Sequence, residues 1–292
     1  MDQGIDILAS LLEHPKMIAA SDRLKATPEN HVSFAEGSPP VKLVYVFQKE
    51  YATVDSARVE VVGTDEATTC VGLVIRNPKT KMTSVGHMDF INVVDMGVSQ
   101  MLSLVVDDDL DTTLDVHLIG SFLDVPCESA NNSNQSRTDV ILRGYSFPLC
   151  SKIVEALHKR LERFQVQTFC VLSHNTTSDF HGNAVPIVSG FLVDTSCGSI
   201  VPARFNKTSR CPDEIVRRIR VTVSSEDPYW KGKLLETYDT IHDRFVIGHC
   251  SWMPDWEEIA YSLQQLSDSE ILIRCSTSPA AEAPDFVENE RR

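Results

Sequence analysis

Gly63-Thr64-Asp65-Glu66-Ala67-Thr68-Thr69-Cys70-Val71-Gly72-Leu73-Val74-Ile75-Arg76 is the stretch on which the reading of this 292-residue chain turns. A polar turn rich in threonine and acids ends on a thiol, and an unbroken apolar run follows. A short apolar run of this kind reads as a buried strand or helix. The turn Asn77-Pro78-Lys79-Thr80 then leads into a second β-like segment, Met82 to His87. Upstream, Val41 to Gln48 and Ala57 to Val62 are also β-rich. Short β-like elements this close together predict a mixed or antiparallel sheet rather than regular βαβ units.

Working outward, apolar residues at helical spacing predict helices over 4–18, 93–104, 148–163 and 256–266. In the last of these Ile259, Leu263 and Leu266 are expected to face inward. Further strands are expected over 114–120, 165–172, 184–193, 199–204 and 271–274, with a hairpin of Leu234 to Tyr238 and Arg244 to Ile247, and a short helix or turn starts at Pro212. The fold class is therefore α+β. Residues 1–40 form an N-terminal helix and connecting loop. Residues 41–292 form a single α+β domain, with a mobile polar loop at 128–139 and a Pro- and Glu-rich strap at 276–292. Arg217, Arg218 and Arg220 read as a solvated basic face.

Composition narrows the function. The hydrophobic fraction is 42% and the charged fraction 23%, ordinary for a globular protein. A net charge of -14 argues against a general nucleic-acid surface. No apolar stretch approaches a membrane span, so no membrane association is expected. The acidic start Met1-Asp2-Gln3-Gly4-Ile5-Asp6 is unlike a signal peptide. Eight cysteines are scattered without a CxxC pair, which predicts no metal site, no disulfide scaffold and mostly small core thiols.

Chemistry is best carried by Cys70 and His87. A thiol at the mouth of a rigid element needs only a nearby base to become a nucleophile, and two neighbouring segments joined by a short turn bring His87 toward it. The competing reading of each is a buried structural residue. Thr64, by its hydroxyl, and Asp89, by its carboxylate, are both candidates to orient the imidazole. Backbone N–H groups at Thr69 and Cys70 would face an oxyanion if Cys70 starts a helix. His117 is the next candidate base.

Several stretches together resemble the protein N-terminal asparagine amidohydrolase family. They are the 63–70 segment quoted above, His87-Met88-Asp89, Asp115-Val116-His117-Leu118-Ile119-Gly120, Ser251-Trp252, and the tail Ser276-Thr277-Ser278-Pro279-Ala280-Ala281-Glu282-Ala283-Pro284-Asp285-Phe286-Val287-Glu288. The resemblance covers roughly residues 40–290. It implies hydrolysis of the side-chain amide of N-terminal Asn to Asp with release of ammonia, with Cys70 as nucleophile, His87 as base and no cofactor. Members of the family resemble chemotaxis-receptor deamidases and deamidating toxins, which implies mixed sheets forming a sandwich flanked by helices. In the receptor deamidases a threonine six residues before the cysteine completes the site, and Thr64 holds that position.

The same resemblance places the reaction upstream of arginylation in the N-degron pathway, in cytoplasm and nucleus. It implies proteins or peptides with a free N-terminal Asn as partners, and association with arginyl-transferase or ubiquitin-ligase machinery. A free α-ammonium needs a carboxylate partner, for which Asp65, Glu66, Asp89 and Glu282 are candidates. Thr69, Ser276, Thr277 and Ser278 offer short polar contacts. Two other readings compete. One is a deamidase of internal Gln or Asn in a folded protein, and the other is a noncatalytic module that binds protein N-termini.

Overall fold

The computed structural model describes residues 2–33, 42–107, 109, 111–124, 144–251 and 255–283. Its strands are β1 Asn30–Val32, β2 Leu43–Tyr45, β3 Glu50–Val54, β4 Val61–Thr64, β5 Val71–Arg76, β6 Thr83–Met88, β7 Thr113–Phe122, β8 Arg163–Leu172, β9 Thr176–Ser178, β10 Ala184–Pro186, β11 Phe191–Asp194, β12 Ile200–Phe205, β13 Leu235–Glu236, β14 Tyr238–Asp239 and β15 Arg244–Phe245. Its α-helices are α1 Asp2–Glu13, α2 Pro15–Ala26, α3 Val94–Leu102, α4 Ser146–His158, α5 Glu214–Val223, α6 Asp255–Gln264 and α7 Asp268–Cys275. No described helix is long and apolar enough to cross a membrane.

Two mixed sheets organise the molecule. One runs β13-β3-β6-β5-β7-β8 and the other β1-β12-β11-β4-β2, with the hairpins β9-β10 and β14-β15 beside them. The sequence 71–76 is continuously apolar because β5 is covered on both faces. Val71, Leu73 and Ile75 face a core shared with α1, α3 and α4 through Leu8, Val98, Met101, Leu149 and Ile153. Val74 faces the opposite core, where it meets Val62, Phe191 and Val193 of the other sheet. Successive side chains alternate across a strand, so a strand covered on both faces must be apolar at every position. Cutting one such residue, as in Leu73→Ala, carries a cost of about 2–5 kcal/mol.

The expected α+β class and mixed sheets are present, and helices flank the larger sheet. Several boundaries move. The helix expected over 4–18 is two helices, because Pro15 cannot donate a backbone hydrogen bond and instead opens α2, with the His14 ring accepting from the Lys16 N–H. The strand expected over 57–62 begins only at Val61. Instead β3, the strand before it, pairs with β6. The run 184–193 divides into β10 and β11.

The strand expected at 271–274 is helical, because Ser267 and Glu270 form a capping box that starts α7. Ile259 on α6 is exposed, and α6 has no buried residue. Of the arginines of α5 only Arg218 is exposed: Arg217 and Arg220 are buried, and Arg217 pairs with buried Glu50 at 2.5 Å. Cys70, Cys150 and Cys170 are buried, whereas Cys197, Cys211 and Cys275 are exposed, so the described thiols are not mostly core residues. The loop at 128–139 and the strap beyond residue 283 lie outside the described residues.

Candidate active site

The segment 65–70 carries the chain from β4 in one sheet to β5 in the other. Thr64 ends β4 and Cys70 immediately precedes β5, so the thiol sits in a bend before a strand and not at a helix start. His87 comes from β6, where it lies opposite Gly72. Residues paired in this way share a sheet face. A Cβ on Gly72 would lie 2.2 Å from the Phe191 ring of the second sheet. That face therefore looks between the sheets, and there His87 meets Thr64, with His87 Nδ1 and Thr64 Oγ1 2.8 Å apart. Both residues are buried. Asp89, the other candidate to orient the ring, is bonded instead by the Gln48 amide at 3.4 Å. Its Oδ1 is buried without a partner.

Electrostatics leave the pair uncharged at neutral pH. Burial pulls the His87 imidazole down to about 4, a shift that Glu66 opposes. Burial pushes the Cys70 thiol well above its ordinary value, and the nearby carboxylates of Asp89 and Glu282 push it further, against a hydrogen bond from Thr69. His87 Nε2 is buried and makes no hydrogen bond. Cys70 and His87 line one cavity of about 750 Å³.

The four candidate carboxylates separate cleanly. Asp65 is buried and fully used. It accepts from Tyr45 Oη at 2.5 Å, the Phe205 N–H at 2.7 Å and Arg210 at 3.1 and 3.2 Å. Burial raises its carboxyl and Arg210 opposes that shift. Glu66 adopts φ 61, in the left-handed region, and pairs with Arg210 at 2.6 Å and Arg218 at 3.4 Å. Burial raises its carboxyl, but the two guanidiniums outweigh that and hold it below the usual range. Both acids tie the 65–70 segment to the chain around α5. Asp89 does not line the cavity, and burial raises its carboxyl against the pull of Lys49.

Glu282 does line the cavity. It is presented by the strap, which lies directly on the bend at 68–70. Thr68 donates to Glu282 Oε1 at 2.9 Å, Ser278 donates to the same oxygen at 2.8 Å and to Thr68 at 3.0 Å, and the hydroxyls of Thr69 and Thr277 meet at 2.7 Å. Ser276 and Thr277 line the cavity too, while Ser278 is buried. The structure thus brings together Thr64, Cys70, His87, Thr69, Ser276, Thr277, Ser278 and Glu282.

It also supplies parts that the sequence did not reveal. One wall is α5, through Glu214, Ile215, Arg218, Val221 and Thr222, and Tyr45, Phe47 and Gln48 border the floor. These residues lie more than a hundred positions from Cys70, or at the end of β2 and in the loop after it, and no local pattern marks them. Among the described residues no three His, Cys, Asp or Glu side chains converge as metal ligands.

Comparison with known proteins identifies the family. A family model described as protein N-terminal asparagine amidohydrolase matches residues 33–292. The chain is 54% identical to a protein N-terminal asparagine amidohydrolase of Arabidopsis thaliana, over 99% of this chain and 84% of that one. Its identity is 30% to the protein of that name in Sus scrofa and 29% to that in Mus musculus, in each case over 86% of this chain and 73% of the relative. A match over most of the chain that contains Thr64, Cys70, His87 and Glu282 is one of family and not of a shared motif alone: the chain belongs to the protein N-terminal asparagine amidohydrolase family.

Proposed function

We propose that this protein hydrolyses the side-chain amide of an N-terminal asparagine, leaving aspartate and releasing ammonia, with Cys70 as nucleophile and His87 as acid and base. The single observation that carries the assignment of roles is the state of the imidazole. Its Nδ1 is held by Thr64 at 2.8 Å, and its Nε2 is buried without a partner beside a cavity that Cys70 also lines. With the proton on Nδ1 and donated to Thr64 Oγ1, Nε2 keeps the lone pair a base requires.

The Cys70 sulfur attacks the carboxamide carbon while His87 Nε2 takes the thiol proton. The tetrahedral oxyanion is held by the backbone N–H groups of Thr69 and Cys70, since that of Thr68 already donates to the Glu66 carbonyl at 3.0 Å. His87 returns its proton to the nitrogen, ammonia leaves and a thioester remains. His87 then takes a proton from water, hydroxide adds to the thioester carbon, and the Cys70 thiol is restored as aspartate departs.

A thiol raised by burial and an imidazole lowered by it are a resting pair that cannot exchange a proton cheaply. Two anions, Asp89 and Glu282, add to that cost. A substrate ammonium would offset it. We assign that ammonium to Glu282 Oε2, since the Thr68 and Ser278 hydroxyls share Oε1 and the other three candidates are engaged elsewhere or lie off the cavity. The domain division at residue 40, the likeness of the sheets to those of chemotaxis-receptor deamidases and deamidating toxins, the action in cytoplasm and nucleus, and the association with arginyl-transferase or ubiquitin-ligase machinery belong to the same proposal.

The test is ammonia release, with a mass gain of about one dalton, from peptides that begin with Asn, begin with acetyl-Asn, or carry Asn internally. Loss of a buried charge partner carries a cost of about 2–5 kcal/mol, so acetyl-Asn is expected to fall about 30- to 5000-fold in kcat/KM. Equal rates on all three peptides would favour the internal-residue deamidase. Binding without ammonia would favour the noncatalytic module.

A further inference from the structure

A cavity that receives a protein N-terminus has a floor and a rim, and burial separates the two. Cys70, His87, Thr68 and Thr69 are buried floor, whereas Lys207, Ile215, Thr222 and Cys275 are exposed rim. When the carboxamide of a first residue reaches the floor, the peptide bond that follows points to the rim. The side chain of the second residue is then the first to meet it.

On that rim Ile215 is 76% exposed. Nothing about the docking of α5 forces this exposure, because the opposite face of the helix is anchored. Arg217 is buried and donates to the Tyr45 carbonyl at 2.6 Å and to Glu50 at 2.5 Å. Buried Arg220 donates to the Glu236 carbonyl at 3.2 Å. The helix is therefore a fixed wall, and Ile215 is held out from it. The charges beside Ile215 are matched within the protein: Arg218 pairs with Glu214 at 3.1 Å and with Glu66 at 3.4 Å. None of these three charges beside Ile215 is left unpaired. The apolar surface that this wall presents comes from Ile215, with half-buried Val221 further along the same helix.

We propose that Ile215 forms the subsite for the second residue of the substrate and favours an apolar side chain there. This deepens the function proposed above and rests on its placing the first residue at Cys70. The chemistry is ordinary contact between apolar surfaces, which discriminates a few methylene groups by about tenfold.

The experiment compares kcat/KM for otherwise identical peptides that begin Asn-Leu, Asn-Ser and Asn-Asp, in the wild type, in Ile215→Ser and in Leu161→Ser. Leu161 is fully exposed and does not line the cavity, so it serves as the surface control. The wild type and Leu161→Ser are expected to prefer Leu over Ser by about tenfold. Ile215→Ser is expected to compress that ratio to about twofold, chiefly through KM, as removal of a uniform binding contact does. Ammonia release with a Leu to Ser ratio near one in the wild type, or a ratio that survives Ile215→Ser, overturns the subsite alone. No ammonia from any of the peptides overturns the function on which it rests and the subsite with it.

Discussion

Two buried histidines stand on the same sheet, each against a threonine. His87 on β6 meets Thr64 at 2.8 Å and His117 on β7 meets Thr168 at 3.1 Å. Burial pulls both rings down to about 4. In isolation the two pairs are hard to tell apart, and in sequence each lies two residues from an aspartate, Asp89 or Asp115. The difference is where each threonine comes from. Thr168 is the cross-strand neighbour of His117 on β8, so that pair lies within one sheet. Thr64 comes from the opposite sheet, so its bond to His87 spans the mouth of the interior where the thiol sits. His117 pairs in register with Val74, four residues along β5 from Cys70, or about 13 Å of strand. A neutral, threonine-bonded imidazole is thus an ordinary way to satisfy a buried histidine. What sets His87 apart is that it lines the same cavity as the Cys70 thiol, which is the ground for proposing it as the base.

The strongest way to break this comparison is to remove the rings one at a time. His87→Ala is expected to lower kcat by about 10² or more and to slow alkylation of Cys70 near neutral pH. His117→Ala, assayed on folded protein, is expected to leave both rates within about threefold, as for a group outside the reacting geometry. Equal losses would mean that the second ring takes part in the chemistry.

The threonines sharpen the contrast at smaller scale. Thr64→Val removes one hydrogen bond, worth about 1 kcal/mol, and is expected to reduce kcat by about fivefold. Thr64→Ser keeps the hydroxyl and most of the rate. Thr168→Val is expected to leave kcat unchanged. Equal rates for Thr64→Val and Thr64→Ser would remove Thr64 from the catalytic set.

The least contrast is expected in stability, where the two rings act alike. Both folded-state values lie below the ordinary 6.5. As pH falls from about 6.5 toward 4 the unfolded chain therefore takes up protons first, and stability is lost through that window. Above it both states hold neutral rings and the contribution is level. Each ring accounts for roughly 3 kcal/mol across the window. Urea denaturation at a series of pH values should show this decline, and His117→Gln should flatten its slope by about one proton. An unchanged slope in that variant would show that His117 is not held neutral by burial.

What was legible in the sequence was local. The polar turn that ends on Cys70, the apolar run after it and the short return to His87 lie within a stretch of 25 residues, and period and turn chemistry are enough to read them. The contact of the strap with the bend was legible only through family resemblance, because Thr68 and Glu282 are 214 residues apart. Asp65 and Glu66 looked like ammonium partners because their neutraliser, Arg210, is about 145 positions away. At 271–274 the aliphatic run Ile271, Leu272 and Ile273, with its two β-branched isoleucines, competed with a capping box at Ser267 and Glu270, and the box prevailed.

The proposed chemistry depends on the Cys70 thiol. The most direct measurement is the rate of ammonia release from an Asn-initiated peptide by Cys70→Ala, beside the wild type, with circular dichroism to establish that both are folded. The substitution removes one sulfur from a buried position and leaves His87, Thr64 and the strap in place. No turnover above the uncatalysed rate is the predicted result; turnover at the wild-type rate would contradict it.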